Sequence, residues 1–402
     1  MAYIYPTKLS TRQKIWFITG IAGAFLIVCL GILFEPDRPS HAGNEFTVKM
    51  SIQQIAPKLD VTGKGLAREL GLPLETPKKK PLKELGISQE QLDHAATHIL
   101  SHHSTGLKYY LFAAIVLFGL MYLIRLGRPD YADISERKIW YPRIPYITCL
   151  LAAVIVCGFV LGKSPNPMEG AVKVFKSIVG LYPSVTGKLL VFAFFVILTI
   201  IGNKLICGWA CPFGALQELF YSLPILRSIK RRKVPFRLTN TIRGGLFLVM
   251  LLFLFGILGG RKGFVIYHYL NPFNLFNLDF DNWLILVTVI VFLILAFFMY
   301  RPFCHLICPF GLISWVAEKV SLTRVKVDHD KCTNCGACIK ACPSQAAKGI
   351  VSGKLFYADC FSCARCLNVC PHDAIRYGFV FSKTSCETPQ KQSASKNESA
   401  LI

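Results

Sequence analysis

Two runs of cysteines dominate the chemistry that this sequence can support. The runs KCTNCGACIKACP and DCFSCARCLNVCP share the spacing C-x2-C-x2-C-x3-C-P. In bacterial two-cluster ferredoxins, this spacing places three cysteines on one 4Fe-4S cluster and gives the fourth cysteine to the other cluster. The rule predicts one cluster on Cys332, Cys335, Cys338 and Cys370, and a second on Cys360, Cys363, Cys366 and Cys342.

A zinc site is the alternative for cysteines at this spacing. Zinc takes four ligands, commonly as two pairs, whereas here a complete four-cysteine run occurs twice. Small residues such as Gly336 and Ala337 allow backbone amides to approach the sulfurs, and Pro343 and Pro371 end the two runs. The spacing therefore favours two iron-sulfur clusters.

A second kind of cysteine motif precedes these runs. CGWACPFG and CHLICPFG each contain a CxxxCP unit. At a helix end, CxxxC places both thiols on one face, and the following Pro212 or Pro309 stops or bends the helix. Convergence of the four thiols would suit an iron-sulfur centre or another soft metal. A dithiol redox pair and simple packing remain alternatives for Cys207, Cys211, Cys304 and Cys308.

The cysteine usage and the charge define the class of protein. Twelve of the 16 cysteines fall in CxxC or CxxxC runs, a pattern that indicates metal ligation in a reducing compartment rather than disulfides. The chain is 53% hydrophobic with a mean hydropathy of +0.46, far more apolar than an ordinary soluble domain. Its net charge of +22 is therefore assigned to cytoplasmic loops, and no nucleic-acid partner is expected.

Apolar runs predict an all-α polytopic membrane bundle followed by a small α+β ferredoxin domain. Six membrane helices are predicted at 15–34, 109–124, 147–161, 189–206, 244–258 and 283–300. Lys and Arg residues, including Arg243, cluster at the N-terminus and after even-numbered helices. This distribution predicts an inner-membrane protein with the N-terminus and the ferredoxin domain in the cytoplasm.

The chain divides into five predicted parts. A membrane helix at 1–34 precedes an extracytoplasmic segment at 35–108, in which Ser88 and Gln91 predict the start of a helix. The membrane core spans 109–320, the two-cluster domain spans 321–381, and a disordered tail spans 382–402. Within the core, an internal repeat runs from Asn166-Pro167 to the first CPFG and from Asn271-Pro272 to the second.

Histidines supply two further candidate sites. His94, His98 and His102 form a helical stripe that could bind a metal or a haem, or could be an exposed, weakly basic face. His268, in YHYLNPF, is a candidate proton acceptor for quinol oxidation. It could equally anchor the chain at the membrane interface beside Tyr267 and Tyr269.

Two CxxxCP motifs followed by a two-cluster domain resemble the NapH/MauN/YccM-type membrane ferredoxins, which are related to the C-terminal half of NosR. The resemblance covers residues 141–378 by motif order and spacing. It implies a quinol-dehydrogenase component that takes menaquinol or ubiquinol as donor and passes electrons to a haem or iron-sulfur partner. The first two helices and the segment between them extend beyond the four-helix core that the resemblance implies.

Three functions compete at this point. The first is an electron-transfer subunit that connects the quinol pool to a redox partner, in either direction. The second is a metal reductase or maturation factor for a respiratory oxidase, because CcoG-type proteins, which combine the same motifs, are associated with copper and oxidase assembly. The third is a redox sensor that uses 35–108 as its input.

Overall fold

The computed structural model describes residues 46–380, with gaps at 60, 62, 74–75, 104–105, 127–143, 163–165, 182–184, 224–232, 258–264 and 279–282. The predicted membrane helix at 15–34 and the predicted tail at 382–402 lie outside the described residues. The described part is mostly helical, and its two strands pair near the C-terminal end.

Residues 46–103 form a small helical unit with a core of their own, to which Leu66, Leu82 and Leu92 contribute. Its elements are α1 (Ile52–Lys58), α2 (Gly63–Glu69), a 3₁₀ turn (Leu82–Leu85) and α3 (Gln89–His103). The Ser88 hydroxyl accepts from the Gln91 amide at 3.2 Å, and the Gln91 side chain accepts from the Ser88 amide at 3.1 Å. This reciprocal pair confirms the predicted helix start.

The central part is a set of apolar helices interrupted by turns. Its elements are α4 (Gly106–Leu126), α5 (Ile144–Ala152) with a π-helical continuation (Ala153–Val160), α6 (Pro167–Ile178), α7 (Thr186–Gly202), a π-helical turn (Ile206–Ala210), α8 (Pro212–Ser222), α9 (Phe236–Leu254), two 3₁₀ turns (Ile266–His268 and Pro272–Asn277), α10 (Trp283–Ala296), α11 (Pro302–Leu306), α12 (Pro309–Ala317) and a 3₁₀ turn (Glu318–Val320).

Two stretches are long and apolar enough to cross a bilayer by length and composition, Leu107–Ile124 and Phe236–Leu254. Three apolar helices are shorter, namely Pro145–Val160, Thr186–Gly202 and Trp283–Ala296. The last of these, α10, has 14 residues. A helix of that length rises about 21 Å, against about 30 Å for a bilayer core. The prediction of six membrane helices is therefore not confirmed.

The internal repeat has a clear structural counterpart. Asn166 accepts a hydrogen bond from the Glu169 amide and caps α6, while Asn271 accepts one from the Phe273 amide and caps the 3₁₀ turn that begins at Pro272. An apolar helix, α7 or α10, follows in each repeat and leads to the CxxxCP motif. The two repeats therefore share an asparagine cap, an apolar helix and a CxxxCP motif in the same order, although the segment after the cap is an α-helix in one and a 3₁₀ turn in the other.

The CxxxCP motifs differ from the predicted helix ends. Cys207 lies in a π-helical turn and Cys304 in the short helix α11, while Cys211 and Cys308 are the N-cap residues of α8 and α12. Pro212 and Pro309 begin the next helices instead of stopping the preceding ones. Proline suits this first position because the missing amide hydrogen has no partner there in any helix.

The ferredoxin domain is built around an antiparallel pair of strands. Its elements are β1 (Thr323–Val327), α13 (Ala337–Ala341), α14 (Ala346–Val351), α15 (Arg365–Val369) and β2 (Ile375–Phe379). The strand pair lies against the end of α7. The Thr323 hydroxyl donates to the Ile201 carbonyl at 2.6 Å, and the Tyr377 hydroxyl donates to the Gly202 carbonyl at 2.8 Å.

Candidate functional site

The eight ferredoxin cysteines line two separate cavities. Each cavity receives three cysteines from one run and the fourth from the other run. One is lined by Cys332, Cys335, Cys338 and Cys370, and the other by Cys360, Cys363, Cys366 and Cys342.

The two runs follow the same backbone path around these cavities. Asn334 and Ser362 occupy equivalent positions and both have positive φ, at 54° and 51°. Gly336 and Ala364 are the next equivalent pair, with φ of 70° and 61°. These left-handed residues turn the backbone towards the sulfurs, and backbone groups of Ser362 and Arg365 hydrogen-bond the thiols of Cys360 and Cys363. After the first run, the Ala347 amide donates to the Cys342 sulfur at 3.4 Å.

The two cavities differ in their surroundings. Cys335 is exposed to solvent, whereas Cys360 is buried. Cys360 precedes Phe361, which is buried between the ferredoxin domain and the central helices. The Phe361 ring lies 5.4 Å from the His305 ring and 5.0 Å from the Arg301 guanidinium. One cavity therefore faces solvent and the other faces the CxxxCP motifs.

The four CxxxCP thiols are all buried, and they lie within one another's electrostatic range. The Cys207 sulfur is 3.8 Å from the Ser314 hydroxyl, and the Cys304 sulfur is 3.9 Å from the Gln217 amide nitrogen. The fold thus brings two thiols from each repeat into the same region. In the described residues, no three His, Cys, Asp or Glu side chains are arranged as ligands of a single metal ion, and this includes the ferredoxin cysteines.

Backbone carbonyls of the ferredoxin domain lie directly against the first CxxxCP turn. The Trp209 indole donates to the Ser362 carbonyl at 3.1 Å. A Cβ at Gly208 would overlap the carbonyl oxygen of Phe361, so only glycine allows this approach. On the other repeat, the Trp315 indole donates to the Tyr357 carbonyl at 2.8 Å.

A first buried ionic triad consists of Arg301, Glu218 and Arg365. The Arg301 Nε lies 3.0 Å and the Arg365 Nη2 lies 2.5 Å from the Glu218 carboxylate, and all three side chains are at most 1% exposed. Arg301 also donates to the carbonyls of Cys207 and Gly208, the latter at 2.6 Å. This triad connects the second repeat, the first repeat and the ferredoxin domain.

A second triad consists of Arg243, Asp359 and Lys204. Arg243 lies 3.2 Å from the Asp359 carboxylate and Lys204 forms a second ion pair with it, all three being fully buried. Arg243 also donates to the Cys304 carbonyl at 3.0 Å, and Lys204 donates to the Gly311 carbonyl at 3.1 Å. The prediction that Arg243 lies in a cytoplasmic loop is wrong, because α9 begins at Phe236 and buries this side chain.

The cations of the second triad lower the pKa of the Asp359 carboxyl. Burial alone would raise the pKa of the Asp359 carboxyl, but Arg243, Lys204 and His305 outweigh burial and hold the pKa below its usual range. Burial lowers the pKa of His305 to about 4, although Asp359, 3.8 Å away, opposes this effect. His305 is therefore neutral near pH 7.

The histidine candidates remain predictions. His268 ends the 3₁₀ turn Ile266–His268, and its side chain lies outside what the structure describes. The neighbouring Tyr267 is 1% exposed and, among the described residues, its hydroxyl has no hydrogen-bond partner. In the stripe, the His94 and His98 rings stack at 6.4 Å and the His98 Nδ1 lies 3.0 Å from Glu69, while the side chain of His102 is not described.

The sequence interpretation did not identify the triads. A signal was present, since Lys204 and Arg301 each lie three residues before the first cysteine of a CxxxCP motif, and both have positive φ, at 67° and 44°. A cation at the same position of both repeats, directly after an apolar helix and its turn, indicates a buried partner. The carboxylates Glu218 and Asp359 carry no comparable sequence signal, because each occurs only once.

Family models match the regions that carry the cysteine motifs. A model described as a 4Fe-4S binding domain matches residues 187–233, which include the first CxxxCP motif. Two models described as 4Fe-4S dicluster domains match residues 302–346 and 331–375. The matched regions together contain all twelve motif cysteines.

Several curated sequences resemble part of the chain. YccM of Escherichia coli, named as a candidate electron transport protein, is 28% identical over 188 residues, which are 44% of this chain and 53% of YccM. The ferredoxin-type protein NapH of Haemophilus influenzae is 30% identical over 164 residues, covering 39% and 53%. The regulatory protein NosR of Pseudomonas aeruginosa is 28% identical over 154 residues, covering 36% and 21%. The chain thus spans about half the length of YccM and NapH, and no solved structure matches it.

Proposed function

This chain is a ferredoxin-type 4Fe-4S protein related to YccM, NapH and NosR, and on that premise we propose that it transfers electrons between a membrane quinol pool and a redox partner. The observation that carries the proposal is the pair of four-cysteine cavities, one of which packs through Phe361 against His305, the residue after Cys304. The partner would be a subunit that contains haem or iron-sulfur centres.

The ligands follow from the cavities. Cys332, Cys335, Cys338 and Cys370 would hold one 4Fe-4S cluster, and Cys360, Cys363, Cys366 and Cys342 the other. Four thiolates and inward-pointing backbone amides suit such a cluster, because the amides donate to the sulfurs and stabilise their negative charge. When bound, a 4Fe-4S cluster exchanges single electrons, and the surrounding hydrogen bonds and charges set its potential.

The membrane location rests on exposed apolar surface. Large apolar side chains are exposed on each of the five apolar helices, and surface of this extent suits lipid rather than water. Examples are Leu117, Ile155, Leu190, Leu248 and Ile294. We place 109–320 in the inner membrane as a multi-pass core, with 1–34 as a membrane helix, 35–108 outside, and 321–381 with the tail 382–402 in the cytoplasm.

The protein's own residues provide the route between the two ends. The buried rings of His305 and Phe361 pack 5.4 Å apart, and these residues directly follow Cys304 and Cys360 in the sequence. Exposed Cys335 brings the other cavity to the surface, where a partner can dock. Burial at one end and exposure at the other suit transfer from a membrane donor to a separate protein.

A quinol site is placed beside Tyr267. Oxidation of a quinol releases two electrons and two protons, so the site needs groups that bind the hydroxyls and accept the protons. The buried Tyr267 hydroxyl is available for a hydrogen bond, and the His268 imidazole is the proposed proton acceptor. Tyr267 also lies within electrostatic range of Cys308 and Arg243, close to the thiol site.

The deciding experiment follows electrons from quinol into the clusters. The full chain, purified anaerobically in detergent, is mixed with a menaquinol analogue, and the 4Fe-4S signals are recorded by EPR. We expect reduction in the wild type and its loss in Cys207→Ser and Cys304→Ser, while dithionite still reduces the ferredoxin clusters in both variants. Quinol that never reduces the clusters, together with copper bound at the CxxxCP thiols, would establish the metal-reductase or maturation function instead.

A further inference from the structure

The two triads have the same construction around the two CxxxCP motifs. In each, one arginine donates to the carbonyl of a motif's first cysteine, Arg301 to Cys207 and Arg243 to Cys304. Each of these arginines pairs with a buried carboxylate, and a second cation completes each triad. Arginines from different parts of the chain thus bind the two motifs in equivalent ways.

The glycines of the two CPFG motifs leave room for these hydrogen bonds. A Cβ at Gly214 would lie 2.8 Å from Arg301 and 3.0 Å from the Cys207 carbonyl oxygen. A Cβ at Gly311 would lie 3.2 Å from Arg243 and 2.6 Å from the Cys304 carbonyl oxygen. Any larger residue would push the guanidinium away from the turn. The CPFG glycine and the arginine therefore act together in both repeats.

Among the residues that the structure describes, the triads hold more positive than negative charge. Their ion pairs set four cations against two carboxylates, and each of the six side chains is at most 1% exposed. The neighbouring carboxylate of Glu318 does not offset this surplus, because Lys319 pairs with it at 2.7 Å. Buried charge is stable only when an opposite charge balances it, so a negatively charged group beside Arg301, Arg243 and Lys204 is favoured. Three of the four triad cations are among the charges that act on Cys304, and the fourth acts on Cys363.

We propose that Cys207, Cys211, Cys304 and Cys308 together hold a third 4Fe-4S cluster, which Arg301 and Arg243 position and balance in charge. A 4Fe-4S cluster with four thiolate ligands carries a net negative charge, which meets the surplus of the triads. The cluster draws two ligands from each repeat. When bound, the cluster would take the two electrons of a quinol one at a time and pass each to the Cys360 site, while the two protons leave through the proton acceptor of the quinol site. This inference rests on the proposed function, in which the thiols form the membrane-boundary redox site.

A cluster suits the four thiols better than a single ion. Among the described residues, the CxxxCP thiols form no single-ion site, and the same is true of the ferredoxin cysteines, which have the 4Fe-4S spacing. A family model described as 4Fe-4S binding includes Cys207 and Cys211. The second cysteine of each motif is an N-cap, and the Gly311 amide donates to the Cys308 sulfur at 3.4 Å. That hydrogen bond stabilises a thiolate.

Iron and acid-labile sulfide analysis of the anaerobic full chain tests the cluster directly. Three clusters give about 12 iron atoms per chain and two give about 8, at four iron atoms per cluster. We expect the higher content in the wild type and the lower one in Cys207→Ser. The lower content in the wild type, or stoichiometric zinc or copper at these thiols, overturns the inference. The proposed function still stands in that case if quinol reduces the two ferredoxin clusters, and it fails separately if quinol does not.

An EPR redox titration tests the two arginines. Arg301→Gln removes a cation and the hydrogen bonds to Cys207 and Gly208, so the third cluster should become harder to reduce and titrate at lower potential. Arg301→Lys keeps the charge and should restore much of the shift. Arg324→Gln, on the half-buried surface of β1, removes one positive charge elsewhere and serves as the matched control.

The ferredoxin signals report whether each variant is folded. If Arg301→Gln lacks these signals, Arg301→Lys and Arg243→Gln are titrated in its place. Equal titration curves for Arg301→Gln and Arg324→Gln would overturn the positioning role. A shift confined to the third signal, absent from the control, supports it.

Discussion

At the scale of single residues, two carboxylates hold together parts of the chain that are far apart in sequence. Glu218 pairs with Arg301 and Arg365, and Asp359 pairs with Lys204 and Arg243. Each carboxylate pairs with two buried cations, so its removal takes a charge partner from both. A buried carboxylate of this kind links separate domains through its ion pairs. Its loss should cost far more stability than the loss of a surface ion pair.

Glu218→Gln tests the ion pairs of Glu218 at nearly constant side-chain volume. The substitution removes the negative charge that two buried guanidinium groups share, those of Arg301 and Arg365, and we expect a loss of about 3–5 kcal/mol in the free energy of unfolding. Thermal unfolding in detergent, followed by circular dichroism, measures the effect. The control is Glu90→Gln, at an exposed position of α3. A surface substitution of this kind should change stability by less than about 0.5 kcal/mol. Equal midpoints for the two variants would contradict the role of Glu218.

Gly336 and Ala364 lie at equivalent positions of the two cysteine runs, and both have positive φ, at 70° and 61°. Exchanging glycine and alanine at these positions therefore tests the cost of a left-handed backbone. Gly336→Ala introduces a Cβ into the left-handed region and should cost about 1 kcal/mol. Ala364→Gly relieves strain of the same kind and should not destabilise. Loss of the visible iron-sulfur absorbance on heating reports both. A larger loss for Ala364→Gly than for Gly336→Ala would show that the left-handed backbone is not the deciding factor.

At the scale of elements, each CxxxCP motif is a joint between two short helices rather than the end of one. The second cysteine caps the following helix, and proline occupies that helix's first position. The chain therefore reverses within a few residues and brings both thiols of a motif to the same place. The glycine two residues after the proline allows the turn to close around an arginine.

Two glycine-to-alanine substitutions compare the stability of the CPFG turn with that of an ordinary helix. Gly311→Ala places a Cβ 2.6 Å from the Cys304 carbonyl oxygen, and such overpacking should cost about 1–3 kcal/mol. Gly244 lies in α9, where an added Cβ would meet no atom within 4 Å. Gly244→Ala should therefore stabilise the helix by about 0.5–1 kcal/mol. Thermal midpoints in detergent should move in opposite directions. A stabilised Gly311→Ala variant would refute the close contact.

At the scale of the whole molecule, the helical unit at 46–103 has a separate core from the ferredoxin domain. The ferredoxin domain shares a continuous core with the apolar helices, through Trp209, Phe361 and the triads. Electrons that enter the buried thiol site would therefore reach the exposed Cys335 within one packed body. The unit at 46–103 is placed outside the cell membrane in the proposed topology, on the far side from the clusters.

Accessibility to a membrane-impermeant maleimide tests this arrangement in intact cells. A cysteine introduced by Glu84→Cys, at an exposed position of the unit at 46–103, should react without permeabilisation. A cysteine introduced by Leu355→Cys, 61% exposed in the ferredoxin domain, should react only after permeabilisation. Reaction of both sites in intact cells, or of neither, would refute the proposed topology. The unmodified chain provides the background labelling.

The local sequence determined the features that depend on spacing along the chain. The cysteine spacing identified the 4Fe-4S motifs, Ser88 and Gln91 marked the start of α3, and the duplicated CPFG revealed the repeat. Each motif is itself a short stretch of chain, in which backbone geometry restricts what can form. Helix lengths were less well determined, because apolar runs continue through the turns that end α7 and α10.

Only the tertiary structure decided which distant residues meet. Glu218 and Arg365 are 147 residues apart, and Arg243 and Asp359 are 116 residues apart, so no local pattern links them. A lysine or arginine beside an apolar helix predicts a cytoplasmic loop by the usual charge rule, and Arg243 was assigned in that way. Its burial depends on a carboxylate supplied by another domain, because a charge enters the interior only when folding brings it a partner.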